Sequence, residues 1–399
     1  MRIIGMMSGT SYDAVDAAAA DVTLDGDGVV LRPLGMVSAR YDDGLRSALA
    51  AALPPAATTL KDVCLLDTRI GQAFAELAVR ADRELCAGRA ELVVSHGQTV
   101  HHWAEGGRVH GTLQLGEPAW IAEATGRPVV SGLRTRDVAA GGQGAPLVSI
   151  VDVLWLRGRP GVPVALNLGG IANITAAGGP AGSPPLAFDT GPANALIDAA
   201  VLHFTGGGLA YDADGALAAR GRVDGELLRR LLDDPYYAAP PPKTTGKELF
   251  HLPYLLAALE GRDALRPADV VATLTELTAR TVADAVRSVG ATEVFASGGG
   301  TRNPVLMDRL RSALGGVPLR GSGELGLPSA AKEAYAFAVL GFLTAHGLAG
   351  TVPACTGARH ASVLGSITPG RRALRLPEPA PTVPVRLRLA PPLPPYGHG

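Results

Sequence analysis

Leu186-Ala187-Phe188-Asp189-Thr190-Gly191-Pro192-Ala193-Asn194 carries an apolar run onto one carboxylate, then turns through Thr-Gly-Pro into a helix-like segment, 195–204. Three other strand-like runs end in a similar way. Arg2-Ile3-Ile4 enters Gly5-Met6-Met7-Ser8-Gly9-Thr10-Ser11-Tyr12-Asp13, residues 162–166 enter Asn167-Leu168-Gly169-Gly170, and Glu293-Val294-Phe295-Ala296 meets Ser297-Gly298-Gly299-Gly300-Thr301. In α/β folds ligands lie outside the carboxyl ends of strands. Glycine there lets backbone N–H groups close on phosphate oxygens, where a Cβ would interfere. Several such corners, with Asp189 at one strand end, predict a nucleotide site with a general base beside it.

At 399 residues the chain exceeds the ~100–200 residues of a single domain, so two are expected. A hydrophobic content of 47% and a net charge of -1 describe a globular protein with real cores. The balanced charge argues against nucleic acid or an anionic membrane surface as partner. Only Lys61, Lys243, Lys247 and Lys332 are lysines, a bias read as genomic. Cys64, Cys86 and Cys355 are odd in number, widely spaced and match no zinc or redox motif; buried thiols in a reducing compartment are expected. Met1 leads straight into a strand, leaving no room for a signal peptide, and no apolar run reaches the ~20 residues of a membrane span. A cytoplasmic protein is expected.

Residues 29–40 read as extended. Val63, Leu66, Ile70, Phe74 and Leu77 recur at helical spacing and predict one long or two shorter helices over 58–86. Residues 91–94 are a short buried strand ending in Ser95-His96-Gly97-Gln98-Thr99-Val100-His101-His102. A helix over 118–124 and a strand over 128–130 follow. The glycines of 134–146 make that segment a loop, and the domain boundary is placed about there. Helices are expected over 150–156, 224–232, 250–259, 267–289 (with Pro267 first in its helix), 303–314 and 329–346. The domains are then 1–140 and 141–370, with the last helix, about 329–346, packing back towards the first. Residues 371–399 are Pro-rich and read as an extended tail.

Ser8-Gly9-Thr10-Ser11 matches neither Walker A nor the dinucleotide fingerprint. Its hydroxyls suit a phosphate nest, and a plain turn is the alternative. Asp13 or Asp16 suits Mg²⁺ held through water, although Asp16 is equally explained as a solvated or capping residue. The triple glycine 298–300 implies either a ligand close to the backbone or a tight packing corner. His96, His101, His102 and His110 have no carboxylate at zinc-enzyme spacing, so a metal there is rejected. The guanidinium forks of Arg134 and Arg136 match a substrate carboxylate, with ordinary surface arginines as the competing account. Lys243-Thr244-Thr245-Gly246-Lys247-Glu248 suggests phosphate or sugar contact, or a solvated turn. Asp189 is the sharpest candidate, because packing explains a carboxylate between glycine turns poorly.

Together these segments resemble the anhydro-N-acetylmuramic acid kinases, within the acetate/sugar kinase–Hsp70–actin superfamily. The likeness runs in order through 5–16, 95–102, 137–148, 167–173, 188–194, 242–250, 297–307, 331–337, 356–358 and 364–370, nearly all of 1–370. It implies an α/β fold of two actin-like (ribonuclease H-like) domains with ATP in the interdomain cleft, and Mg²⁺ as cofactor. It also implies a double reaction. Water attacks the anomeric carbon of 1,6-anhydro-N-acetylmuramic acid while the freed O6 takes the γ-phosphoryl group, in peptidoglycan recycling. By the family's pattern Asp189 is the general base, and Glu333 helps to position the water.

The resemblance assigns ATP and phosphate contacts to Gly5, Met6, Met7, Ser8, Gly9, Thr10, Ser11, Tyr12, Asp13, Asn167, Gly169, Gly170, Gly298, Gly299, Gly300 and Asn303. Substrate contacts fall to His96, Gln98, Thr99, Arg134, Arg136, Asp137, Gly191 and Asn194, with the arginines placed near the lactyl carboxylate by charge and location. Tyr12, Ala14, Ser149, Ala193 and Lys247 depart from the usual pattern without removing a carboxylate or a phosphate-loop hydroxyl. The expected partners are the small substrate and ATP, without nucleic acid or membrane, and a homodimer is open. Two other readings stand beside this one. An ordinary hexose or acetamido-sugar kinase would use Asp189 on a sugar hydroxyl. A nucleotide-driven machine like actin or Hsp70 is disfavoured by the arginine-bearing and lysine-rich loops.

Overall fold

The computed structural model describes residues 1–9, 12–53, 56–178, 182–246, 249–262, 264–380 and 382–391. The chain divides into two compact units, Met1–Arg157 with Ala331–Gly399, and Gly158–Ala330.

The first unit is built on β1 (Arg2–Ser8), β2 (Ala14–Asp25), β3 (Gly28–Arg40), β4 (Leu92–Glu105), β5 (Arg108–Leu115) and β6 (Val129–Ser131). The order is β3-β2-β1-β4-β6, with β5 folded back on β4. Strand β2 is antiparallel to both neighbours, while β4 is parallel to β1 and to β6. The alanines of β2 are poor strand formers, and no strand was expected there. Ala17 to Ala20 are fully buried, and helices Leu60–Cys86 and Lys332–Ala345 both pack on β2. Small side chains admit both helices, so packing outweighs propensity.

Helix Leu60–Cys86 is one unbroken element. A capping box between Thr59 and Asp62 starts it, and Ala87 in the left-handed region ends it. Helix Lys332–Ala345 lies directly on the sheet. A Cβ on Gly5 would come within 2.0 Å of the Ala334 carbonyl oxygen. Gly5 and Met6 therefore sit in mid-strand, Met6 with no exposed surface. Their observed place is the core, not the ligand corner expected for them.

The second unit contains β7 (Pro163–Leu168), β8 (Ile171–Ala176), β9 (Leu186–Pro192), β10 (Glu293–Ser297) and β11 (Leu319–Gly321). The order is β9-β8-β7-β10-β11, with β8 antiparallel to its neighbours and β10 parallel to β7 and β11. Position for position, this repeats the order and directions of the first sheet. It is the duplicated actin-like, ribonuclease H-like α/β architecture implied by the resemblance. Val282 and Val286 of helix Pro267–Ser288 and Leu306 and Leu310 of helix Pro304–Ala313 pack against its strands.

Three expectations are corrected. The division falls at 157/158, because helix Ser149–Leu156 belongs to the first unit, where Asp152 meets Lys332 Nζ at 2.7 Å. The glycine-rich segment holds a helix, Leu133–Ala139, before its glycines begin. After the second unit the C-terminal part of the chain returns to the first sheet. There β12 (Ser366–Thr368) pairs antiparallel with β6, and β13 (Arg386–Leu389) pairs parallel with β3. Leu387 is buried in that pairing, so the expected tail contributes an edge strand. Among the described residues no helix is long and apolar enough to cross a membrane.

Candidate active site

In the first unit, β1 ends on Ser8, whose hydroxyl lies 2.7 Å from Gln98 Oε1 and 2.9 Å from the Ala14 carbonyl oxygen. Gln98 Nε2 donates to the carbonyls of Gly9 (3.1 Å) and Thr99 (3.2 Å). One amide from β4 thus pins the corner at the end of β1. Thr10 and Ser11 lie outside the described residues. Tyr12 takes a φ of 44° and donates its N–H to Gly9, a left-handed residue of the sort that marks functional turns. Met7 is half-buried in β1, and Asp13 is exposed. Asp16, on β2, accepts from the Ser38 hydroxyl. Thr99 Oγ1 accepts from Gln114 Nε2 within the β4–β5 pair.

A second cluster joins β4 to helix Leu133–Ala139. Arg134 Nε donates to His96 Nε2 at 2.9 Å, so that nitrogen is the acceptor, and Nδ1 donates to the Gly97 carbonyl at 2.8 Å. Burial, with the Arg134 charge adding to it, holds His96 well below its usual value, which keeps the ring neutral. Arg134 Nη1 also donates to the Gly144 carbonyl at 2.7 Å. Asp137, with no exposed surface, accepts from Gly144 N and from Thr356 Oγ1, both at 2.8 Å. His96, Arg134 and Asp137 thus order the glycine loop. Arg136 does not join them. It is exposed, and two residues along a helix rotate a side chain by ~200°.

Glu333 is the one residue of helix Lys332–Ala345 outside the buried set. Burial raises its carboxyl above the ordinary value. The Lys332 and Arg134 charges oppose the rise, while Asp152 and Asp16 add to it. The structure therefore brings Glu333, Arg134 and Asp16 into one neighbourhood, from three elements far apart in sequence.

In the second unit the glycine corners knot together. Asn194 Nδ2 donates to the Gly169 carbonyl at 2.8 Å, and Ala193 N and Ala195 N donate to Gly170 at 2.9 and 3.0 Å. A Cβ on Gly298 (φ 90°) would meet Asn167 Oδ1 at 2.6 Å, and one on Gly300 would meet Leu168 Cβ at 2.8 Å. Those two glycines serve packing on the end of β7. Gly299 faces open space and is the one left for a ligand. Asn303 caps helix Pro304–Ala313 by accepting from Leu306 N at 3.1 Å. Beside this corner is a cavity of about 360 Å³ lined by Ala296, Thr301, Met307, Leu319, Ser322 and Ser329 among others. Ser322 is fully buried, and its hydroxyl has no hydrogen-bond partner among the described residues.

Asp189 lies within β9, which runs on to Pro192, so it is not strictly terminal. Asn173 pairs with Asp189 and Ala172 with Gly191, leaving Thr190 as a bulge, a device that re-aims neighbouring side chains. Gly191 (φ 138°) carries the Tyr237 ring, 2.8 Å from where its Cβ would be. The Asp189 side chain is buried. Its Oδ2 accepts from Thr244 Oγ1 at 2.8 Å and from Thr245 N at 2.9 Å. The lysine-rich loop thus holds the carboxylate. Lys247 and Glu248 lie outside the described residues.

The family model for anhydro-N-acetylmuramic acid kinase matches residues 1–370. The chain belongs to that family. It is 72% identical over 389 residues to the anhydro-N-acetylmuramic acid kinase of Streptomyces avermitilis, covering 98% of this chain and 100% of that one. The corresponding kinase of Streptomyces coelicolor is 66% identical (98% and 99% covered), and that of Rhodococcus erythropolis 64% (98% and 99%). The chain is accordingly an enzyme, a sugar kinase. Sequence reasoning singled out neither Asp152 nor Ser322, and it read Thr244, Thr245 and Thr356 within motifs without their contacts to Asp189 and Asp137. Those contacts join segments 55 to 219 residues apart, which no local pattern announces.

Proposed function

We propose that the chain converts 1,6-anhydro-N-acetylmuramic acid, water and ATP into N-acetylmuramic acid 6-phosphate and ADP, in cytoplasmic peptidoglycan recycling. Asp189 takes a proton from water as its oxygen bonds to C1. The C1–O6 bond breaks, and O6 attacks the γ-phosphorus as the bond to ADP breaks. Glu333 positions the water. The observation that carries this is the clamp on Asp189, a buried carboxylate fixed in orientation by two hydrogen bonds, since general-base catalysis needs geometry first. Arg134 is the residue best placed to meet the lactyl carboxylate from the first unit.

The nucleoside of ATP suits the cavity beside Gly299, where Met307 and Leu319 offer apolar surface and Thr301, Ser329, Arg311, Arg320 and Glu324 offer polar groups, and the phosphates suit the open face of the Gly299 turn. Among the described residues no group of three His, Cys, Asp or Glu side chains is placed to hold a metal. That fits Mg²⁺ carried on phosphate and water with one or two carboxylates, here Asp13 or Asp16. When bound, Mg²⁺ neutralises charge on the transferring phosphoryl group.

Asp189→Asn is expected to cut turnover by at least ~10²-fold with ATP binding retained. In ¹⁸O-water the label should appear at C1 of the phosphorylated product. Near-normal turnover in the variant would remove Asp189 from the role. Unlabelled C1 would replace the ring-opening reaction with ordinary phosphorylation of an acetamido sugar.

A further inference from the structure

Asp189 is gripped at four points by one segment, 236–245. Besides the two bonds to Oδ2, its N–H donates to the Lys243 carbonyl at 3.0 Å. Its own carbonyl accepts from the Tyr236 hydroxyl at 2.7 Å. The segment is in turn closed on itself by a single cation. Lys243 Nζ donates to the carbonyls of Tyr236 (2.9 Å) and Tyr237 (3.0 Å) and sits 4.6 Å over the Tyr236 ring. Tyr236 and Tyr237 are anchored on Phe250 within the helical core of this unit. A ladder of contacts therefore runs from buried aromatics through Lys243 to one carboxylate oxygen. The ammonium is turned away from the reaction, onto backbone carbonyls. Among the described residues the side-chain donor to the carboxylate in this ladder is the Thr244 hydroxyl.

We infer that Thr244 is a positioning residue for the kinase reaction, its hydroxyl holding the Asp189 carboxylate in the rotamer from which it takes the proton, with Lys243 as the strut that holds Thr244 in place. This rests on Asp189 being the base. A donor that fixes a reacting group acts on the transition state more than on ground-state binding, so its loss lowers kcat and leaves KM nearly unchanged. A small misplacement of a reacting group can cost ~10²-fold.

The test compares Thr244→Val, which removes the hydroxyl at constant shape, with Thr244→Ser, which keeps it. Each is made in the full-length enzyme and in an Asp189→Asn background, with turnover followed by product mass and folding by thermal midpoint. Thr244→Val is expected to lower kcat roughly 10- to 100-fold with KM for both substrates within about twofold. Thr244→Ser should restore most of kcat, and in the Asp189→Asn background Thr244→Val should cost little more. Equal losses of kcat in both backgrounds, or a rise in KM that Thr244→Ser does not reverse, would overturn the positioning role while leaving Asp189 as base. High turnover of Asp189→Asn itself would instead overturn the base. Should Thr244→Val fail to fold, Thr244→Ala carries the same comparison, and a Thr244→Ala enzyme with normal kcat refutes the proposal.

Discussion

Glu333 carries a charge that its surroundings disfavour, and this gives it two separable consequences. Because burial raises its carboxyl, the folded state binds that proton more tightly than the unfolded chain does. Its contribution to stability is then fully present below the unfolded carboxylate value and is lost as pH rises through the folded-state value. Glu333→Gln should therefore melt higher than the native enzyme at pH 8. The difference should vanish below about pH 4, where the unfolded glutamate is also protonated. The same variant should lose turnover, a trade of stability against activity common at working sites. A variant no more stable at pH 8, by calorimetry across pH, would mean that burial does not govern this carboxyl. In the sequence Glu333 stands out through the family likeness, not through any local pattern. Asp152 lies 180 positions from Lys332 in sequence, and no pattern could have announced that pair.

Among the elements, the triple glycine shows how a motif divides into packing and ligand. Gly298→Ala combines a left-handed φ with a contact of 2.6 Å to Asn167 Oδ1. It should destabilise the protein by ~1–2 kcal/mol or more in denaturant titration. Gly299→Ala meets nothing within 4 Å and should stay within ~0.5 kcal/mol of the native stability. It should instead raise KM for ATP, and an unchanged KM would take that turn out of the phosphate site. Gly5→Ala places a methyl group 2.0 Å from the Ala334 carbonyl oxygen, against backbone that cannot turn aside. A loss of ~1–3 kcal/mol is expected from such overpacking. Glycine after a strand reads the same in sequence whether it faces a phosphate or a helix, so 299 could not be told from 298, 300 or 5 beforehand. The helix at 133–139 was hidden for a related reason, because the glycines that follow it dominate the local composition.

For the molecule as a whole, the last strand to be placed is β13, which returns from the Pro-rich end to lie parallel to β3. Arg386 pairs with Asp27 at 2.7 Å and Arg388 with Asp25, while Leu387 is buried. Surface pairs of this sort add little, so the buried leucine and the ladder bonds carry the stabilisation. Removing 371–399 should lower the thermal midpoint of the first unit by several degrees, at ~2–4 °C per kcal/mol for a unit of this size, with kcat unchanged. A midpoint identical to that of the full chain would reduce β13 to an ornament of the sheet edge. By itself the sequence determined the α/β class, the long helices and the glycine corners, and it singled out Asp189, because hydrophobic period and glycine placement act over a few neighbouring residues. Only the tertiary structure decided that the alanine run is a strand, that the Pro-rich end adds a strand to the first sheet, and that Thr244 and Thr245 hold Asp189. Each of those depends on partners tens to hundreds of residues away, whose packing free energy overrides the weak preference of the local chain.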